Sequence, residues 1–333
     1  MKALVLVLAI AIPGILMAQR IAYSSPEQDD GRRTNFEIIG KVGGNILVFK
    51  NNRSADFISV YDNNMKLIDR VHQDFLPEKY INIDFVQYPD FTYMIYEYQK
   101  KNIVHSSVVK IDARGKRISE PVDLDTTQTG SSSGSKIYTT IFSEDKQHIM
   151  VFKINSKNPK NYVFTTFLFD KQLELIDRHR ITINMEEKNE MFTNFLLDND
   201  GQFVFAKFLK NNSSGDYISR VAMVTKSATA DTFAIKDVGT NDRVLDEIKL
   251  KVDNNNKKYI LTGFYYKQKR GNIEGLYTMV WDKSTDSKLK ETLTVFSEEL
   301  RAIAKSSEAN LKMAFNDFFI KNIIVKKFSY GYI

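Results

Sequence analysis

The sequence of 333 residues has no cysteine, a single tryptophan and only 6 prolines. Without cysteine there can be no disulfide, no thiolate nucleophile, no cysteine-held zinc and no lipid anchor built on a thioether. So few prolines exclude collagen-like chains and proline-rich disorder. Histidine is also scarce. His72, His105, His148 and His179 lie more than four residues apart, so no local metal-ligand spacing exists and no metal or cofactor is expected. No tract carries charge of one sign, because 47 basic residues are interspersed with 41 acidic ones for a formal charge of +6. The densest basic clusters, Lys267-Gln268-Lys269-Arg270 and Lys153 to Lys160, fall in expected loops. Nucleic-acid binding needs a continuous basic face that displaces counterions, so no nucleic-acid partner is expected. After Ala18 no apolar run approaches the roughly 20 residues that a membrane helix needs.

What is present points to a sheet protein. Hydrophobic residues make up 43% and charged residues 26% of the chain, an ordinary globular balance. A chain of this length buries about three quarters of its unfolded surface, enough for a core without covalent staples. The 23 phenylalanines and 16 tyrosines favour pleated, half-buried surfaces. The first residues differ in kind. Lys2 gives a positive start, Ala3 to Ile12 is unbroken apolar sequence, Pro13-Gly14 breaks it, and Leu16-Met17-Ala18 ends on a small residue. That is the layout of a secretory signal. Residues 1–18 are expected to be a cleaved signal peptide, leaving a lead segment at 19–35. The product would be periplasmic or secreted, its association with the cell surface left open.

Internal similarity is the strongest signal along the chain. Ile46-Leu47-Val48-Phe49-Lys50 recurs as Ile149-Met150-Val151-Phe152-Lys153. Tyr61-Asp62, two residues and Met65-Lys66-Leu67-Ile68-Asp69-Arg70 recur as Phe169-Asp170, two residues and Leu173-Glu174-Leu175-Ile176-Asp177-Arg178. Ile111-Asp112 and Trp281-Asp282 follow the same grammar of an apolar residue, an aspartate, a turn and a basic residue, and Thr225 takes the aspartate's place in one further copy. Five units of four short strands are therefore expected over residues 36–296. In the first, the strands run Phe36 to Val42, Asn45 to Phe49, Phe57 to Tyr61 and Met65 to Val71, with Gly, Asn and Asp in the turns.

This grammar resembles β-propeller blades, with no match to the signature of a particular propeller family. The resemblance implies an all-β, propeller-like array of about five antiparallel blades that cover one another's faces. Beyond it, Leu300, Ile303, Ala304, Leu311, Ala314 and Phe315 share one helical face behind Ser297, so residues 297–315 are expected to form an amphipathic helix. Residues 316–333 echo the opening of the first unit and read as the start of a sixth, cut short. An incomplete hairpin leaves unpaired edge groups, which favours truncation over ring closure by these strands.

Chemical motifs are sparse. In Gly130-Ser131-Ser132-Ser133-Gly134-Ser135-Lys136 the glycines are one residue too close for a phosphate loop, and Ser135 displaces the lysine. Asp198-Asn199-Asp200-Gly201 has its glycine too early for a helical calcium loop and reads as a turn. The recurring Asp62, Asp112, Asp170 and Asp282 occupy one position of the repeat, which favours turn chemistry over an active site. Phe264-Tyr265-Tyr266 and Tyr93, Tyr96 and Tyr98 are aromatic groups suited equally to a binding face and to a core. No catalytic, cofactor or metal residue is assigned. The expected function is a non-catalytic binding or scaffold module with a protein or glycan ligand. The alternative is a propeller-fold glycan hydrolase using carboxylates across a central channel.

Overall fold

The computed structural model describes residues 21–26, 35–52, 55–130, 134–158, 160–211, 217–240, 243–267 and 273–299. The expected signal peptide and sixth unit lie outside the described residues, and so does the expected helix beyond its first three positions. The chain divides into two compact bodies at residues 133/134.

In the first body β1 (Asn35–Val42), β2 (Asn45–Asn52), β3 (Ala55–Tyr61) and β4 (Leu67–His72) pair antiparallel in chain order. The same meander follows in β5 (Tyr80–Gln87), β6 (Phe91–Lys100), β7 (Ile103–Asp112) and β8 (Val122–Gln128). One sheet lays Val42, Leu47, Phe49, Ile58 and Val60 against Ile83, Met94, Tyr96, Val109 and Ile111 of the other. Neither sheet could shield that face alone. At about 25 cal/mol per Å² of apolar surface removed from water, this shared layer is the main stabilising term of the body.

The second body opens with another four-stranded meander, β9 (Tyr138–Phe142), β10 (His148–Asn158), β11 (Asn161–Asp170) and β12 (Leu175–Asn184). Part of the basic cluster Lys153 to Lys160, expected in a loop, instead lies in β10, which runs on to Asn158 before the hairpin into β11. After it come β13 (Glu190–Phe192), β14 (Leu196–Leu197), β15 (Phe203–Asn211), β16 (Tyr217–Lys226) and β17 (Ala234–Asp237). The last four strands are β18 (Val244–Asp253), β19 (Lys258–Tyr266), β20 (Ile273–Asp282) and β21 (Ser287–Val295). These nine strands form one sheet rather than the two separate units expected, because Ile218 of β16 pairs with Leu245 of β18. Beyond that pair the two groups of strands part, and Val204, Ala206, Val221 and Met223 pack on Leu250, Tyr259, Leu261 and Met279.

Strands with both faces covered read as unbroken apolar runs. Phe203 and Phe205 point towards Phe152 and Phe164, while Val204 and Ala206 point the other way. Ring centroids in this layer lie 5.1 Å apart for Phe152–Phe203 and 5.6 Å for Phe164–Phe205, which accounts for much of the phenylalanine content.

The repeated blocks have local causes. Asp62 Oδ1 accepts from the backbone N–H groups of Asn64 and Lys66. Asp112, Asp170 and Asp198 do the same two and four residues on, and Asp282 caps Ser284 and Thr285. Only a short acceptor side chain can close this turn. The repeated arginine that ends the block also has a partner: the Arg70 guanidinium sits 4.6 Å from the Phe57 ring centroid, and that of Arg178 lies 5.0 Å from Phe167.

One glycine tests the packing at the sheet's edge. A Cβ on Gly275 of β20 would collide with the Thr294 carbonyl of β21 and lie 3.0 Å from the Tyr265 ring. Gly275→Ala is expected to lose about 1–3 kcal/mol by urea denaturation, since the obstacle is backbone and cannot rotate away. An unchanged midpoint would disprove the close approach.

Candidate functional site

Three sets of residues carry polar chemistry. The first is the turn before β15. Asp198, almost fully buried, uses Oδ1 for the turn and Oδ2 for the Tyr259 hydroxyl (2.8 Å) and the Lys283 ammonium (2.5 Å). Lys283 also reaches Asp200 at 2.6 Å. Burial pulls the Lys283 ammonium down, but its hydrogen bonds to the two carboxylates outweigh this and leave it raised. Lys283 in turn holds Asp200 below the usual carboxylate range. Burial and the adjoining Asp198 charge push the Tyr259 phenol far up, so it stays a donor. The acidic turn thus holds the protein's own ammonium where a calcium loop would hold a cation. The bonds from Tyr259 and Lys283 join the turn before β15 to β19 and the β20–β21 turn, while the Asp200 side chain stays exposed.

The second set is the four histidines, two in each body and not gathered at one point. His105 Nδ1 lies 2.9 Å from Asp123 Oδ2, with Ser107 donating to the other carboxylate oxygen at 2.5 Å. The Tyr98 ring stacks on His105 at 4.9 Å. His179 Nδ1 lies 2.8 Å from Asp177 Oδ2, which also receives the buried Lys226 ammonium at 2.9 Å. Asp123 holds the serine and the histidine separately, so no serine–histidine relay is formed. His72 packs near Phe57, and His148 Nδ1 is buried with no hydrogen-bond partner. Among the described residues no three His, Cys, Asp or Glu side chains converge to hold a metal ion.

The third set lines a cleft of about 200 Å³ where β16 meets β18. Met191, Phe208, Ile218 and Ile248 form an apolar floor, and Met191 is 48% exposed there. Lys210, Asp246, Glu247 and Lys249 bring two charges of each sign to its rim. The backbone at the rim is unusual. The register of β18 on β19 shifts between Asp246 and Lys249, and Glu247 takes φ +49°. A left-handed non-glycine residue costs about 1 kcal/mol, and bulges of this kind gather beside binding and active sites. Gly263 of β19 makes room for the bulge: a Cβ there would lie 2.8 Å from Ile248 Cγ2 and 3.2 Å from the Asp246 carbonyl oxygen. The Tyr266 hydroxyl then donates to Asp246 Oδ2 at 3.1 Å.

The aromatic groups singled out in the sequence belong to the core. Phe264, Tyr265 and Tyr266 are all buried, as are Tyr93 and Tyr96, and Tyr98 is half-buried. In the glycine–serine segment, residues 131–133 lie outside the described residues.

No protein-family model matches the chain, and no curated protein matches it. Among solved structures it is similar to an apocarotenoid oxygenase of Synechocystis carrying a Glu150Gln change in that enzyme's own numbering, at TM-score 0.40 and 11% identity over 79% of this chain and 59% of that one. A chimera of that oxygenase with RPE65 gives TM-score 0.41 and 12% identity, with the same coverage. The cobalt-substituted oxygenase gives 0.38 and 10%, covering 74% of this chain and 59% of that one. The chain spans about 59% of the length of these structures. They correct the expected function: the similar structures are oxygenases by description, neither a non-catalytic scaffold nor a glycan hydrolase. A likeness at this level concerns the course of the chain and assigns no activity. The described residues do not fit a metal centre.

Proposed function

We propose that this chain is a β-propeller-like protein, with successive sheets in each body stacked as blades, and that it takes a small, partly apolar molecule in the cleft beside the β18 bulge. The observation that carries the reading is the coincidence of three features at one point. Met191 is an exposed apolar floor residue, Glu247 is in a left-handed conformation, and Gly263 opens the space the bulge needs. Left-handed strain at a non-glycine position is retained where the surroundings over-determine it, and such positions cluster at ligand sites. The cleft is smaller than the ~300–1,000 Å³ of pockets that enclose drug-sized ligands, so it suits a single branched apolar group rather than an extended one.

The test uses a neutral probe, 3-methyl-1-butanol, titrated into the full chain while the Met191 methyl resonance is followed by NMR. A saturable shift of that signal is expected. Met191 is half-exposed, so Met191→Lys should fold normally while its ammonium occupies the floor. Probe binding, now read at neighbouring Ile218 and Ile248 methyls, should fall at least tenfold. A Met191 signal indifferent to the probe would end this reading.

A further inference from the structure

We infer that the ligand of the cleft is a zwitterion with a branched apolar side chain, a free apolar α-amino acid in chemical class; this rests on the cleft being the ligand site. The inference comes from how the rim is charged. Asp246, Glu247 and Lys249 follow one another along the bulge with only Ile248 between them, and Lys210 faces them from the end of β15. In a regular strand residues two apart share a face, so Glu247 and Lys249 lie on one side of β18 and Asp246 would lie on the other. The bulge lets Asp246 line the same cleft as Glu247 and Lys249, while Ile248 reaches the floor.

A ligand with one charge would meet one pair of rim groups favourably and the other unfavourably. A zwitterion satisfies both. Its carboxylate meets the Lys249 and Lys210 ammonium groups, its ammonium meets Asp246 and Glu247, and its side chain lies on Met191, Phe208, Ile218 and Ile248. The bulge then serves to add Asp246 to the rim, and Gly263 is the residue that leaves room for it.

The experiment compares four probes that share one branched tail, at fixed ionic strength, through the Met191 methyl shift of the full chain. They are L-leucine, 4-methylpentanoate (no ammonium), 3-methylbutylamine (no carboxylate) and 3-methyl-1-butanol (neither charge). L-Leucine is expected to bind about fivefold tighter than either singly charged probe, as two partly exposed ion pairs allow. Lys249→Gln should reduce its advantage over the amine to twofold or less, and Glu247→Gln its advantage over the acid. Both residues are exposed, so neither change threatens the fold. If a singly charged probe equals L-leucine while the alcohol still binds, the zwitterion is refuted and the cleft remains the site. If the advantage survives both substitutions, the rim charges are not its cause and the inference is likewise overturned. If no probe, the alcohol included, moves the methyl signal, the cleft reading falls and this inference with it.

Discussion

Asp198→Ala is expected to cost about 3–5 kcal/mol of folding stability. One carboxylate closes its own turn through Oδ1 and receives Tyr259 and Lys283 on Oδ2. Its removal leaves two backbone donors without a cap and a largely buried ammonium short of its nearest counter-charge. Tyr259 keeps its contact with Gln202 at 2.9 Å, so the tyrosine contributes less to the loss than the lysine. Lys283→Met should cost only about 1–2 kcal/mol, because Asp198 would keep three hydrogen bonds to its carboxylate and the methionine fills the stem's space. If Asp198 and Lys283 act as one unit, the double variant will cost less than the sum of the two singles. Urea denaturation of the four proteins measures this. An Asp198→Ala loss below about 1 kcal/mol would mean that the network does not hold these strands together.

The same aspartate marks the line between what the sequence reveals and what it hides. The turn was legible, because an acceptor two and four residues before the N–H groups it caps is a local matter, and the repeat displays it at Asp62, Asp112 and Asp170. The strands of the first unit were legible to within a few residues for the same reason. The second half of Asp198's role was not, since Tyr259 and Lys283 are 61 and 85 residues away. The merging of the fourth and fifth units also depends on one distant pair, Ile218 with Leu245, which no local pattern announces. The cleft left a faint trace. Along Leu245-Asp246-Glu247-Ile248-Lys249-Leu250, apolar residues fall at 245, 248 and 250, a step of three where a strand calls for two. That slip is the bulge, and it could have been read as such. Met191, Phe208 and Ile218 could not have been joined to it without the topology. Nor does anything near Glu190 or Lys226 in sequence announce that each is a buried charge.

Glu190 carries the other large effect, and its pH dependence distinguishes a charge from a hydrogen-bonding shape. Its side chain is 1% exposed and meets Lys207 Nζ at 3.0 Å and Arg220 at 2.9 Å, while the N–H of Glu186 donates to it at 2.7 Å. Burial alone would raise this carboxyl. Lys207 first, and then the backbone N–H groups of Glu186 and Glu187, overcome that and hold it below its ordinary value of 4.5. A depressed folded value gives stability that is complete above the unfolded pKa and is lost as pH falls through the folded one. Glu190→Ala should therefore cost about 3–5 kcal/mol at pH 7, chiefly by stranding Lys207, whose side chain is 11% exposed, since the half-exposed Arg220 is screened by water. Glu190→Gln keeps the shape but not the charge. Its deficit against the natural protein should be full at pH 7, begin to shrink near pH 4.5 and be nearly gone once the native carboxyl is protonated. Urea denaturation at pH 7, 5, 4 and 3 follows that difference. A gap of constant size across the series would show that Glu190 works through its hydrogen bonds alone. Because Glu190 immediately precedes Met191 in β13, Glu190→Ala should also weaken 3-methyl-1-butanol at the cleft.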